Sequence, residues 1–311
     1  MKVFLTLLVL SVSAMAQQAG RMIAITIDDL PVVSTRTDLK TRQEITKKLL
    51  GHIKKAKVPA IGFVNENKLY NRDKRDDAQI ALLRMWLDNG LELGNHTYSH
   101  RSLNRIELAD YHSDLLRGET ITKELLEAKG REIRYFRHPF LHTGRTMEVK
   151  AALATFLREH GYVIAPISFD NADYIFSRAY DEAFDKGDKA LMKKVGDAYM
   201  PYMETKLDYW ERQSIKLFGR EISQTLLIHA NFINSDYLDD LIAMFKRRGY
   251  KCVDLGTALK DEAYRLPDTY IGPAGISWLH RWARDKGREY VVTPEPTVPD
   301  FVLKLSGFES E

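Results

Sequence analysis

Asp28 and Asp29 stand side by side in the stretch ITIDDLP, and His96 and His100 stand four apart in HTYSH. Two imidazoles and one carboxylate form a borderline-soft donor set that, completed by water, suits a hydrolytic transition-metal ion with an open position. The other carboxylate is left over to carry a proton. In a regular strand, successive side chains point to opposite faces, so one Asp can bind metal while its neighbour stays free. The same pair before Pro31 also reads as an ordinary turn or helix cap. One helical turn would present both His96 and His100 to a single ion; two unrelated surface histidines are the plainer reading. Three further groups bear on acid-base work. Arg137, in RYFRHPF, carries a planar fork that can hold a carboxylate, in a site or in a structural ion pair. His229 lies in the apolar run TLLIHA, where a hydrogen-bonded core histidine is the commoner occurrence; a carboxylate partner would make it a proton donor, and Asp173 is the best candidate.

These residues need elements that bring them together. Short apolar runs at 22–27, 60–64, 91–95, 133–136, 162–167, 225–230 and 250–255 alternate with amphipathic stretches, the pattern of strand-helix units around a parallel sheet. The helical stretches span Arg42 to Ala56, Ala78 to Asn89, Glu107 to Lys129, Thr146 to His160 and Asp236 to Arg248. The candidate residues fall at the downstream ends of strand-like runs. Sites in parallel α/β folds assemble at that end, where loops from several units converge.

Taken together, the set resembles the polysaccharide deacetylase family, the NodB-homology group of carbohydrate esterase family four, up to about Leu255. The family's T-F-D-D-G is similar to Thr26-Ile27-Asp28-Asp29-Leu30, and its H-[ST]-x-x-H is matched in full by His96 to His100. R-x-P-Y is similar to Arg137-His138-Pro139-Phe140, D-x-x-D-W to Asp170-Asn171-Ala172-Asp173-Tyr174, and L-x-H to Leu227-Ile228-His229. The resemblance implies an α/β fold, a distorted (β/α) barrel, and metal-dependent removal of acetyl from an N-acetylated sugar. It implies Asp29, His96 and His100 as metal ligands and Asp28 as general base. Arg137 would orient carboxylates, Asp173 would tune His229, and His229 would be the general acid. Tyr174 and Leu227 would line the acetyl pocket, and the backbone N–H of Phe140 would face the oxyanion. Zinc is the first assignment, and cobalt, nickel or manganese suit the same donors. Leu30 in place of Gly requires a locally different first loop, since a side chain disfavours positive φ. Phe140 lacks the family's hydroxyl, and Tyr174 gives a smaller wall than Trp. His138 and His142 are read as substrate contacts or groups supporting the ligands.

Residues 1–16 combine a basic start, an apolar core and an A-x-A end, a leader-like pattern that predicts export to a periplasmic or secreted location. Residues 17–265 then form the barrel, with a charged helical insertion near 176–221 that packs beside the barrel or walls the cleft, and 266–311 form an extension packing on it. Within that extension, ISWLHRWARDKG reads as a docking helix; a sugar-stacking platform of Trp278 and Trp282 is the alternative. The charge is mixed, net +3, without a basic stripe for nucleic acid, and no later segment predicts a transmembrane anchor. Cys252 is the only cysteine and reads as a buried strand thiol. The expected partner is an N-acetylated glycan, peptidoglycan or a chitin-type oligosaccharide. Alternatives are an O-acetyl esterase or a non-sugar amide or cyclic imide hydrolase on the same fold, and a non-catalytic carbohydrate-binding protein. Oligomeric state is left open.

Overall fold

The computed structural model describes residues 20–287 and 294–311, so the leader-like residues 1–16 lie outside the described residues. In chain order the elements are β1 (Met22–Leu30), α1 (Leu39–Ala56), β2 (Ala60–Val64), a small hairpin of β3 (Tyr70–Asn71) and β4 (Lys74–Arg75), α2 (Asp77–Asp88), β5 (Glu92–Asn95), α3 (Leu108–Arg117) and α4 (Thr120–Glu127). There follow β6 (Tyr135–Phe136), α5 (Met147–Glu159), β7 (Val163–Ile164), α6 (Asp173–Asp185), α7 (Lys189–Phe218), β8 (Gln224–His229), α8 (Phe232–Arg247), β9 (Lys251–Cys252), α9 (Leu255–Ala258), α10 (Trp278–Asp285) and α11 (Asp300–Ser306).

All seven predicted strand runs enter one parallel sheet. Its order is β7-β6-β5-β2-β1-β8, and β9 pairs with the start of β1. β1 carries Ile23, Ile25 and Ile27 on one side and Ala24 and Thr26 on the other, all buried, as befits a central parallel strand covered on both faces. The ring is completed downstream of β7, where Phe169 forms an isolated parallel bridge with Leu226. Side chains reinforce that seam: Ser168 N–H donates to Thr225 Oγ1 at 2.9 Å, and Thr225 N–H to Ser168 Oγ at 2.8 Å. The result is the distorted (β/α) barrel expected from the strand-helix alternation.

Local chemistry explains where helices begin. Asp38 caps α1 by accepting from Thr41 N–H, Thr146 caps α5 through Val149 N–H, and Asn231 caps α8 through Asn234 N–H. α8 therefore starts at Phe232, four residues before the amphipathic pattern becomes clear. The predicted helix from Glu107 to Lys129 is two helices instead. They part around Gly118, where an added Cβ would collide with the Thr97 and Tyr98 backbone, so the HTYSH loop packs against this break. In α10, Trp278 and Trp282 are buried at 5% and 2% exposure, which leaves no ring face for a sugar and corrects the stacking alternative. α6 and α7 turn buried faces inward, including Phe176, Tyr199, Met203 and Trp210. Among the described residues, no helix is long and apolar enough to cross a membrane.

Candidate active site

β1 ends in an irregularity. Its register against β2 shifts between Ile27 and Leu30, and Asp29 takes φ 68°. A bulge of this kind re-aims side chains at a strand end. Asp28 and Asp29, which a regular strand would send to opposite faces, therefore line the same cavity. The positive φ falls on Asp29 and not on Leu30, which is fully buried in the core. Substitution of a side chain for glycine at position 30 is thus accommodated without left-handed backbone there.

The HTYSH loop is not the helical turn expected from its spacing. Thr97 and His100 adopt φ 65° and 53°, and side chains take over the hydrogen bonds a helix would make internally. Thr97 N–H donates to Asn95 Oδ1 at 2.7 Å, His100 N–H to Thr97 Oγ1 at 3.1 Å, and Ser99 N–H to Asp114 Oδ2 at 3.1 Å. The rings still converge, with centroids 4.8 Å apart. Asp29, Thr97, His100, Phe140 and Leu141 are five of the seven non-glycine residues with positive φ among those described. Such conformations persist where surroundings over-determine them, and here they gather around one cavity.

One ligand atom each from Asp29, His96 and His100 lies within 4.8 Å of the others. Asp29 Oδ1 is 3.8 Å from His96 Nε2 and 3.6 Å from His100 Nε2. His96 Nδ1 lies 2.8 Å from the Arg137 carbonyl, which fixes the proton on Nδ1 and leaves the Nε2 lone pair facing the carboxylate. Burial pushes the His96 and His100 imidazoles below their ordinary range, so both are neutral donors. Burial opposes ionisation of Asp29, but Lys68, His100 and the other nearby imidazoles outweigh it and hold the carboxyl well below its usual range. Asp29 Oδ1 is buried without a hydrogen-bond partner. An orphaned anionic oxygen facing two imidazole lone pairs fits a divalent cation.

Asp28, 2% exposed, is pushed up to about 6 by burial, against the opposing pull of Arg137. Its Oδ1 also lacks a partner, while Oδ2 accepts from Arg137 Nη1 at 3.3 Å. Arg137 is fully buried, donates through Nη2 to Thr26 Oγ1 at 3.0 Å and stacks 4.7 Å from the Phe63 ring centroid. Across the ladder, Asp28 is the register partner of His229 on β8. His229 Nδ1 lies 2.8 Å from Asp173 Oδ1, and Asp173 Oδ2 accepts from the His229 N–H, Asn231 Nδ2 and Asn234 Nδ2. Burial lowers the imidazole, yet Asp173, with Asp29 and Asp28 adding to it, more than compensates, and His229 is pushed up to about 9.

The remaining expected residues surround the same space. Phe140 is 53% exposed, with its ring centroid 4.4 Å from that of His100. Tyr174 and Leu227 line the cavity beside His229, the Tyr174 ring 6.4 Å from the imidazole. His138, 3% exposed, reaches the cavity edge with Nδ1 unpartnered, whereas His142 is held by Ser102 Oγ at 2.7 Å and does not line the cavity.

The cavity measures about 650 Å³ and has a second half that the motifs did not announce. Lys206 and Trp210 of α7, His280 of α10, and Glu295 and Glu311 line it. The Lys206 ammonium, almost fully buried, binds Glu295 and Glu311, the latter at 2.7 Å. Partial burial of Asp170, together with the nearby Glu295 carboxylate, pushes it up to about 7. Lys68 was missed as well: its Nζ donates to the Asp29 carbonyl at 2.8 Å. Apart from Asp170, which opens the fourth motif, none of these has a local sequence pattern to betray it, since each acts across a long stretch of chain.

Residues 16–162 match the family model described as polysaccharide deacetylase. No curated protein matches the sequence. Among solved structures, a mutant of a Bacillus anthracis CE4 family pseudoenzyme with restored enzymatic activity aligns at TM-score 0.54 and 16% identity, covering 78% of this chain and 68% of that one. A peptidoglycan N-acetylglucosamine deacetylase, solved with a naphthalenyl-substituted N-hydroxybenzamide, aligns at 0.52 and 20%, covering 78% and 89%. The chitin deacetylase of the fungal pathogen Colletotrichum lindemuthianum aligns at 0.52 and 21%, covering 79% and 90%. At these identities the structural likeness is one of fold.

Proposed function

We propose, from the premise that this chain belongs over residues 16–162 to the polysaccharide deacetylase family, that it is an exported, metal-dependent N-deacetylase. Its substrate is a glycan bearing N-acetylglucosamine-type residues, peptidoglycan or a chitin-type oligosaccharide, and its products are acetate and the free amine. The observation that carries the reading is the convergence of Asp29, His96 and His100 in the cavity that Asp28 and His229, the latter backed by Asp173, also face. Export is supported by the leader-like composition of residues 1–16.

Asp29, His96 and His100 would hold the cation, zinc in the first instance. When bound, a divalent ion supplies Lewis acidity, polarising a carbonyl and making a water more acidic. Asp28 takes the water's proton on Oδ1, the buried oxygen without a partner, while Arg137 keeps Oδ2 in place. His229 carries its proton on Nε2, because Nδ1–H is committed to Asp173. It delivers that proton to the sugar nitrogen as the C–N bond breaks, so a neutral amine departs. The Phe140 N–H is assigned to the developing oxyanion, and Tyr174 and Leu227 to the acetyl methyl.

Acetate release from N-acetylated chitooligosaccharides and from peptidoglycan fragments tests the reading. Chelation should abolish it and zinc restore it; turnover that persists under stringent chelation rejects the metal assignment.

A further inference from the structure

The turn after β2 does something the motifs do not record. β2 lies between β1 and β5, so the residues that follow Val64 pass between the loop carrying Asp29 and the loop carrying His96 and His100. They bind both. On one side Asn65 N–H donates to the Leu30 carbonyl at 3.2 Å and Lys68 Nζ to the Asp29 carbonyl at 2.8 Å. On the other, Asn65 Nδ2 donates to the His96 carbonyl at 2.7 Å and Asn67 N–H to the Tyr98 carbonyl at 3.0 Å. The turn is itself fixed, because the fully buried Glu66 accepts from Ile121 N–H and Thr122 N–H at 3.0 and 2.6 Å.

We propose that Lys68 is a positioning residue for the cation site, pinning Asp29 in its left-handed conformation so that Oδ1 faces His96 and His100. The inference rests on the metal-binding reading of those three residues. Two effects of the ammonium oppose each other. Its Nζ stands 3.8 Å from Asp29 Oδ1, where it repels a cation, yet its direct hydrogen bond holds a left-handed turn that residues other than glycine adopt infrequently. The 2.8 Å bond to the carbonyl is direct, whereas 3.8 Å from the carboxylate oxygen is beyond hydrogen-bond range, so the lysine fixes the turn and leaves the ligand atom Oδ1 free. Positioning therefore dominates, as it does for partners that orient metal ligands generally.

The test is titration of purified, metal-free protein with cobalt(II), read by its visible absorption band, and with zinc in competition with a chelator. Lys68→Met should bind either ion about 10- to 100-fold more weakly than wild type, with an altered cobalt band. Lys68→Arg, which keeps a long donor, should recover most of the loss. If Lys68→Met does not fold, Lys68→Gln carries the same expectation. Unchanged or tighter binding in the Met or Gln variant overturns the inference while leaving the metal reading intact. A wild-type protein that binds neither ion overturns both.

Discussion

Replacing Asp173 with asparagine keeps the side chain's shape and removes the charge that holds His229 protonated. Three donors, the His229 N–H at 2.9 Å, Asn231 Nδ2 at 2.9 Å and Asn234 Nδ2 at 2.6 Å, converge on Oδ2 and would retain the amide oxygen there. The amide nitrogen then faces His229 Nδ1, which must accept instead of donate. A neutral imidazole with its proton on Nε2 results. The rise of His229 from 6.5 to about 9 corresponds to a preference of about 3 kcal/mol for the charged form. Without the Asp173 carboxylate, burial pulls the group back toward the ordinary value of about 6.5, with only the weaker pull of Asp29 and Asp28 against it. At pH 8 about 90% of wild type and about 3% of the variant would then carry the proton, a roughly 30-fold deficit that nearly vanishes at pH 6. Nitrogen-detected imidazole NMR of the metal-free proteins reads both values directly, and the pH profile of acetate release reads the consequence. Stability follows the same linkage with a fixed sign. A histidine raised on folding stabilises fully below its unfolded value of 6.5 and loses that contribution as pH climbs through about 9. The variant's stability deficit should accordingly be largest below pH 6.5 and shrink toward pH 9. A wild-type His229 titrating near 6.5, or an Asp173→Asn protein retaining a value above 8, would refute the reasoning.

Two other substitutions probe different walls of the cavity. Arg137→Met leaves Asp28 buried without its cation and should cost about 3–5 kcal/mol in urea unfolding at pH 8. Arg137 also lowers Asp28, so the acid limb of the activity profile should move upward in whatever folds; an unchanged urea midpoint would count against the pair. Gly275→Ala places a methyl group inside contact distance of the Phe140 carbonyl oxygen, so the backbone assigned to the oxyanion must move. Acetate release should fall by up to about 10²-fold with cobalt affinity unaltered; full activity would remove Phe140 from the proposed machinery.

Much of the scaffold was legible in the sequence because parallel strands buried on both faces leave near-continuous apolar runs, and AIGFV at Ala60–Val64 is recovered residue for residue. The candidate site was legible for a related reason: Asp28, His96 and Arg137 each follow directly after such a run, and His229 lies one residue from the end of another. What could not be read is what works through backbone geometry or over long separations. The spacing of His96 and His100 suggests a helical turn, yet Asn95 and Asp114 supply the hydrogen bonds that let Thr97 and His100 turn left-handed instead. Lys68 meets Asp29 through a carbonyl that has no sequence identity. Lys206, Glu295 and Glu311 meet only because α7 and the chain's last described segment reach the cavity from beyond the fifth motif or from the insertion, where periodicity reports a helix but not its neighbour.

The proposed ion nest and the proposed acid pair inherit different mechanical footing. Asp28 and Asp29 are gripped by ladders on either flank, six register pairs joining β1 to β8 and a further set joining it to β2. Asp173, which opens α6, follows the closure at Phe169, where a single bridge, the backbone bonds between Phe169 and Thr225 and between Leu227 and Phe169, and the Asn171 amide on the Leu227 carbonyl join the ring. The carboxylate is moored instead to β8 and the start of α8 through His229, Asn231 and Asn234, so the proton donor and its partner move as one body, whatever the cradle for the cation does.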